Sequence, residues 1–210
     1  MQSDLEQRSA EWFEMRRGKF TASNADRLMS NGRKTGEFGQ KFYTLIDEIA
    51  VERLIGKTFG HFVSPAMQRG TELEPQAIAA YEFTSGNVVD PAFFVLDGDI
   101  AGCSPDGYVG DDGLVEAKCP ENMAKHLNYL HSATHAEEYR WQLQFQLCVT
   151  KRAWVDIVSY HPEFPPHLQV AIERVEPNTE DFHQIRVRLV QAETLVKNKI
   201  QEIQDQAAAA

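Results

Sequence analysis

A chain of 210 residues, 42% hydrophobic and 25% charged, has ordinary globular composition and is long enough to bury one sizeable core. No apolar run approaches the roughly 20 residues that span a bilayer, and the opening MQSDLEQRSAEW is too polar for a secretory signal. Three cysteines without a Cys-x-x-Cys pair suggest neither a disulfide framework nor a zinc cluster, so a cytoplasmic protein with no membrane partner and mostly buried, reduced thiols is expected.

The formal charge of −10 argues against a protein that coats nucleic acid through massed Lys and Arg contacts. The basic residues are unevenly spread, however. Arg8, Arg16, Arg17, Lys19, Arg27, Arg33 and Lys34 all fall within the first 35 positions, and the acidic excess lies beyond them. Local capture of a strand beside cation-holding carboxylates fits that distribution, and so does any acidic cytosolic protein.

In chain order, the first predicted helix runs about 9–17 and the second starts near Thr21, where Thr-Ala-Ser-Asn supplies cap candidates. A third covers about 38–55, with Phe42, Leu45, Ile46, Ile49 and Leu54 close to helical period. A fourth starts at Ser64-Pro65 and continues to about Phe83, with a break or kink expected at Gly70 or Pro75. Three short β-rich runs follow, 87–97, 100–109 and 113–118, separated by Gly/Asp turns, and they read as a meander. Two helices (about 121–131 and 136–149), two strands (153–160 and 167–175) and a long amphipathic helix (about 178–205) complete the chain. The expectation is an α/β fold, a mixed β-sheet flanked by helices with N-terminal helical elements. It forms one domain: a helical part of about 1–85, a sheet core of about 86–176 and the C-terminal helix.

The run Ser-Pro-Asp-Gly-Tyr-Val-Gly-Asp-Asp-Gly-Leu-Val-Glu-Ala-Lys places Asp106 at a turn, with Glu116 and Lys118 two apart on the next strand. Alternation puts Glu116 and Lys118 on one face, and a hairpin brings Asp106 beside them. Two carboxylates and a lysine at one point suit metal-dependent phosphodiester hydrolysis. Hard oxygen ligands hold Mg²⁺, which keeps several waters. The metal polarises the phosphoryl oxygen, and a lysine steadies the attacking water and the developing charge. The backbone carbonyl of Ala117 is available as a further oxygen ligand. A polar hairpin with a solvated Glu/Lys face is the competing reading. The apolar lead-in to Val-Glu-Ala-Lys weighs against it, because Glu and Lys are rarely buried unpaired.

Four ordered blocks resemble the phage lambda exonuclease family, the alkaline-exonuclease partners of phage recombinases within the PD-(D/E)XK nucleases. They are Trp-Phe-Glu-Met-Arg-Arg-Gly-Lys-Phe-Thr-Ala-Ser (12–23), Arg-Gly-Thr-Glu-Leu-Glu-Pro-Gln-Ala (69–77) with Tyr-Glu-Phe-Thr-Ser-Gly (81–86), Cys-Ser-Pro-Asp-Gly (103–107) with Leu-Val-Glu-Ala-Lys-Cys-Pro (114–120), and Gln-Leu-Gln-Phe-Gln-Leu-Cys-Val-Thr (142–150). They cover about residues 10–160, and the last 50 residues match weakly. The resemblance implies a PD-(D/E)XK restriction-endonuclease-like core. It also implies a 5′→3′ exonuclease that degrades linear double-stranded DNA to mononucleotides and leaves 3′ overhangs for recombination by strand annealing.

It implies metal ligands at Asp106, Glu116, the Ala117 carbonyl and Glu74, holding two Mg²⁺ (or Mn²⁺) ions per site. Catalytic roles fall on Asp106, Glu116, Lys118, Glu74 and Gln142, and 5′-phosphate binding on Arg16, Ser23, Ser104 and Tyr139. The implied partners are duplex DNA ends, two further copies in a homotrimeric ring, and a single-strand annealing protein.

Without the resemblance, Arg16 reads as a helix-surface arginine, Thr21 and Ser23 as caps, and Glu74 as a first-turn acid. One of Gln142 and Gln144 reads as solvated, Trp12 and Trp141 as core or interface, and His126, His131 and His135 as helix-surface residues. The final helix reads as packing or subunit contact. An endonuclease of the same superfold and a non-catalytic DNA-binding module are the remaining alternatives.

Overall fold

The structure, a computed structural model, describes residues 2–3, 7–58, 64–132 and 135–209. After a short strand β1 (Gln2–Ser3) come α1 (Ala10–Arg16), β2 (Phe20–Thr21), a 3₁₀ turn, α2 (Ala25–Leu28), α3 (Gln40–Ile55) and α4 (Pro65–Ser85). Strands β3 (Val89–Asp90), β4 (Phe94–Asp97), β5 (Ala101–Cys103), β6 (Gly107–Val109) and β7 (Gly113–Lys118) follow. Helices α5 (Met123–Ser132), α6 (His135–Glu138) and α7 (Arg140–Thr150) lead to β8 (Trp154–Tyr160), β9 (Val170–Val175) and α8 (Thr179–Ala208).

The mixed α/β fold flanked by helices is present, but the expected single meander is divided between two sheets. One sheet has the order β1-β4-β5-β2 and the other β3-β6-β7-β8-β9. Within the meander the chain changes sheets twice, at Pro91 between β3 and β4 and at Ser104-Pro105 between β5 and β6. Proline has no N–H to offer a ladder, so pairing lapses at both points, and after the second the chain re-enters as β6 against β7. The N-terminal part is not purely helical either, because Phe20 and Thr21 of β2 pair in parallel with Ala101 and Gly102.

Helix α4 runs unbroken through Gly70 and Pro75. Thr71, whose carbonyl loses its partner at Pro75, is exposed, as is the proline, so the freed group lies open to solvent. The helix stops at Gly86, where φ is 73° and only a residue without Cβ is comfortable. The last helix is capped by Asn178, whose side chain accepts from the N–H groups of Glu180 and Asp181. It runs to Ala208, somewhat past its expected end.

Helix α7 is the hinge between layers. Leu143 and Leu147 pack on Leu114, Val155 and Ile157 of the five-stranded sheet. Phe145 and Val149, on another face, join α2, α3 and α8 in the larger core with Phe42, Leu45, Ile49, Ile185 and Leu189. Helix α4 covers the sheet's opposite face, where Tyr81 meets Val109, Val115 and Val158. Strand β7 is therefore buried on both sides. Leu114 faces α7 and Val115 faces α4, so Glu116 and Lys118 inherit the α7 side by alternation.

Two histidines expected on helix surfaces are buried: His126 is 0% and His135 1% exposed. His126 Nε2 lies 2.8 Å from Leu168 O and its Nδ1 2.8 Å from Ser159 Oγ. A carbonyl only accepts, so Nε2 donates and Nδ1 accepts from the hydroxyl. His135 packs its ring against Tyr129 at 3.3 Å between centroids. His131 is exposed as expected. Cys103 and Cys148 are buried free thiols and Cys119 is partly buried.

Candidate active site

The turn after β5 brings Asp106 alongside β7. Its N–H donates to Val115 O at 3.2 Å, and its Oδ2 accepts from the Ala117 N–H at 2.8 Å. Strand β6 pairs with β7 only as far as Val115, so Asp106's carboxylate takes the place a strand partner would have held. In an extended strand the N–H and C=O of one residue point the same way, and the Ala117 carbonyl therefore faces the Asp106 side too.

Glu116, 4% exposed, is held by three donors. Its Oε1 accepts from Lys118 Nζ (2.6 Å) and Gln142 Nε2 (2.5 Å), and its Oε2 accepts from Gln146 Nε2 (2.6 Å). Gln142 and Gln146 are one helical turn apart on α7, the spacing that places two side chains on one face. Gln142 Oε1 also accepts from Lys118 Nζ at 3.2 Å. The Lys118 ammonium stands 4.8 Å over the Tyr139 ring.

The electrostatics reflect carboxylates crowded at one point. Burial first, then repulsion from Glu116 and Glu74, pushes the Asp106 carboxyl well above its ordinary range, against Lys118 and the Ala117 N–H. Burial opposes the charge on Lys118, but Glu116 and Asp106 outweigh it and hold its pKa above the usual lysine value. Among the described residues, no three acidic, histidine or cysteine side chains already form a cage. The donor set nevertheless fits a hard divalent ion, since Mg²⁺ asks for one or two carboxylates and keeps waters in its other positions. Such an ion would relieve the carboxylate repulsion directly.

A second cluster lies beside the first. Arg16, on the last turn of α1, stacks its guanidinium on Trp12 at 4.2 Å. It donates to Ser23 Oγ at 2.8 Å and to Thr21 Oγ1 at 3.4 Å. Burial lowers its pKa to about 10, with Cys103 and Glu52 opposing. Trp12 Nε1 donates to Ser104 Oγ at 2.9 Å, and Ser104 is two residues from Asp106. Cys103 lies between the clusters: its thiol is pushed up by burial and then by Glu116, with Arg16 opposing.

The structure thus gathers Asp106, Glu116, Lys118 and Gln142 in one constellation and Arg16, Ser23 and Ser104 in the next. Tyr139 belongs with Lys118 rather than with Arg16. Glu74, on α4, is near enough to act on Asp106 but is paired with Arg8 at 2.5 Å.

Sequence reasoning missed several partners. Trp12 does more than fill core, because it orients Ser104 and carries Arg16; its three-residue spacing from Ser9 and four-residue spacing from Arg16 was the available signal. Gln146 was passed over within a run of alternating glutamines, although Gln142 and Gln146 share a helical face. Gln144 is not solvated: it is 4% exposed, donates to Glu176 O and accepts from the Asn178 N–H.

Comparison with known proteins then decides the family. Residues 11–153 match the YqaJ-like viral recombinase domain. The chain belongs to that family. A search of the curated proteins found no match. Among solved structures, an alkaline exonuclease (LHK-Exo) from Laribacter hongkongensis superposes with a TM-score of 0.85 at 32% identity, over 96% of this chain and 99% of that one. The same enzyme in complex with dAMP gives 0.85 at 33% identity over the same shares. A phage related exonuclease from Haemophilus somnus 129PT shares the fold, at a TM-score of 0.76 and 16% identity over 88% of this chain and 96% of that one. This member of the family is a nuclease enzyme with the PD-(D/E)XK-like architecture expected from its sequence. Among the described residues, no helix is long and apolar enough to cross a membrane.

Proposed function

We propose that this nuclease is a Mg²⁺-dependent exonuclease that degrades linear double-stranded DNA in the 5′→3′ direction, releasing mononucleotides and leaving 3′ single-stranded overhangs. The observation that carries the reading is the adjacency of two clusters. An arginine with hydroxyl neighbours (Arg16, Ser23, Ser104) stands next to converging carboxylates and a lysine (Asp106, Glu116, Lys118). A guanidinium forks onto phosphate oxygens, and hydroxyls add donors without adding charge, which suits a pocket that must release its product. A terminal 5′-phosphate held there lays the next phosphodiester over the carboxylates, and polarity follows from that placement. The relative crystallised with dAMP, a nucleoside monophosphate, supports a mononucleotide product.

In this reading Asp106, Glu116, the Ala117 carbonyl and Glu74 hold two Mg²⁺ ions, with Mn²⁺ as a substitute. Bound there, the ions supply the Lewis acidity that phosphodiester hydrolysis requires. Lys118, fixed by Glu116 and Gln142 and seated over Tyr139, orients the attacking water and offsets charge on the transition state. Residues 1–210 act as a single nuclease domain in the cytoplasm. Three copies form a ring around the duplex, which reconciles sustained binding with a charge of −10, and the overhang passes to a single-strand annealing protein.

Timed digestion of end-labelled linear duplexes, 5′-phosphorylated or 5′-hydroxyl, with Mg²⁺ or EDTA, tests this. Mononucleotide release from 5′-phosphorylated ends with Mg²⁺ alone is expected. Cleavage of closed circular DNA would instead make the enzyme an endonuclease of the same fold.

A further inference from the structure

The approach to α1 has a shape that the reaction above leaves unused. Arg8 has φ of 69°, a left-handed conformation that side chains other than Gly, Asn and Asp rarely adopt. Both neighbours pin it there. Gln7 Nε2 donates to Pro105 O (2.8 Å), the residue before Asp106, and to Ala92 O (3.2 Å). Ser9 caps α1 by accepting from the Trp12 N–H. Between these anchors, Arg8 Nη2 donates to Glu74 Oε2 at 2.5 Å. Glu74 is the α4 carboxylate that, with Glu116, repels Asp106. The Arg8 side chain is 44% exposed and that of Glu74 22%, so the pair sits at the rim of the site, with part of the guanidinium open to solvent.

We propose that Arg8 is a resident cation for Glu74, holding in DNA-free protein the carboxylate that a divalent ion would otherwise claim, and handing it over when a DNA backbone phosphate takes the guanidinium. The inference rests on the metal-dependent nuclease reading above. The exchange balances charge on both sides: Arg8 trades a carboxylate for a phosphate, and Glu74 trades a guanidinium for a metal ion. Guanidinium suits either anion through the same fork of donors. The left-handed backbone at Arg8 points the same way, since strain held in place by its surroundings clusters at functional positions. Because a coupling between two ligands is reciprocal, metal would load Glu74 fully only with DNA in place. A positioning residue of this kind discourages idle metal loading.

The test is equilibrium binding of Mn²⁺, followed by the electron paramagnetic resonance of the free ion, to full-length DNA-free protein. Arg8→Asn removes the charge with a residue that tolerates the left-handed backbone. It should bind Mn²⁺ about three- to five-fold more tightly than wild type, the range a part-exposed ion pair commands. Arg8→Asn combined with Glu74→Gln should lose that gain. In EDTA, Arg8→Asn should bind a 5′-phosphorylated duplex more weakly, with a salt dependence shallower by about one phosphate contact. Equal or weaker Mn²⁺ binding by Arg8→Asn overturns the proposal and leaves a plain structural ion pair, and so does unchanged duplex affinity. Asp106→Ala, measured alongside, keeps the two readings apart: loss of Mn²⁺ there upholds the metal site whatever Arg8 does.

Discussion

Asp106, a proposed metal ligand, shows at single-residue scale how a cluster of carboxylates trades stability for chemistry. Its carboxylate is partly buried and is repelled by Glu116 and Glu74, an arrangement that costs stability and that a bound cation would relieve. Asp106→Asn keeps an oxygen to accept the Ala117 N–H and removes the repulsion. It should therefore abolish cleavage, by at least about 10²-fold as for other lost electrostatic groups, while its melting temperature in EDTA equals or exceeds that of wild type. A variant that cleaves at near-normal rate, or melts well below wild type, would remove Asp106 from this role. Lys118 is a different case, because its partners are Glu116, Gln142 and the Tyr139 ring. Lys118→Ala should cut turnover by a similar factor while leaving duplex affinity in EDTA intact. Equal losses in both would make the lysine a phosphate contact and not a group at the attacking water.

Among the elements, α7 does the most to fix the site. Its Gln146 is 0% exposed and donates to the Glu116 oxygen that neither Lys118 nor Gln142 reaches. Gln146→Leu keeps the volume and removes the donor, leaving a buried carboxylate oxygen without a partner, a loss of about 1–3 kcal/mol. Supporting groups of this kind typically change metal affinity or activity by about 10- to 100-fold. A rise in the Mg²⁺ concentration needed for half-maximal rate is therefore expected, and an unchanged Mg²⁺ dependence would leave Gln146 a packing residue.

The helices and strands that carry these groups were legible because their signals are local. Period-2 alternation placed Glu116 and Lys118 together, and helical spacing found α3. The partition into two sheets was not legible, since it rests on distant pairings such as β5 with β2, some 80 positions earlier, and β3 with β6 rather than β4. Likewise, nothing in the neighbourhood of Gln146 or Trp12 reveals a partner separated by 30 or 92 positions. The buried histidines escaped for the same reason: His126 finds its partners on the far side of the crossover, at Ser159 and Leu168.

For the molecule as a whole, the buried His135 sets a pH limit that lies apart from the carboxylates of the proposed site. His135 is 1% exposed, its Nε2 has no hydrogen-bond partner among the described residues, and its ring is packed on Tyr129. Burial first, then the His126 and Lys125 charges, lowers its pKa to about 4, with Glu138 opposing. In the unfolded chain it would titrate near its ordinary value of 6.5. Between those values the unfolded state binds the proton and the folded state refuses it, so stability rises with pH across that window. The penalty is absent above about pH 7, grows as pH falls through 6.5, and levels off below 4. Carboxylates titrate in the lower part of the same range, so the wild-type melting curve alone cannot isolate the histidine. His135→Leu can, because an apolar side chain of similar size leaves no buried partner unsatisfied. In EDTA, the melting temperature of wild type minus that of His135→Leu should become steadily more negative from pH 7 to pH 4. A difference that stays constant across that range would mean that His135 accepts its proton in the folded protein as readily as in the unfolded chain.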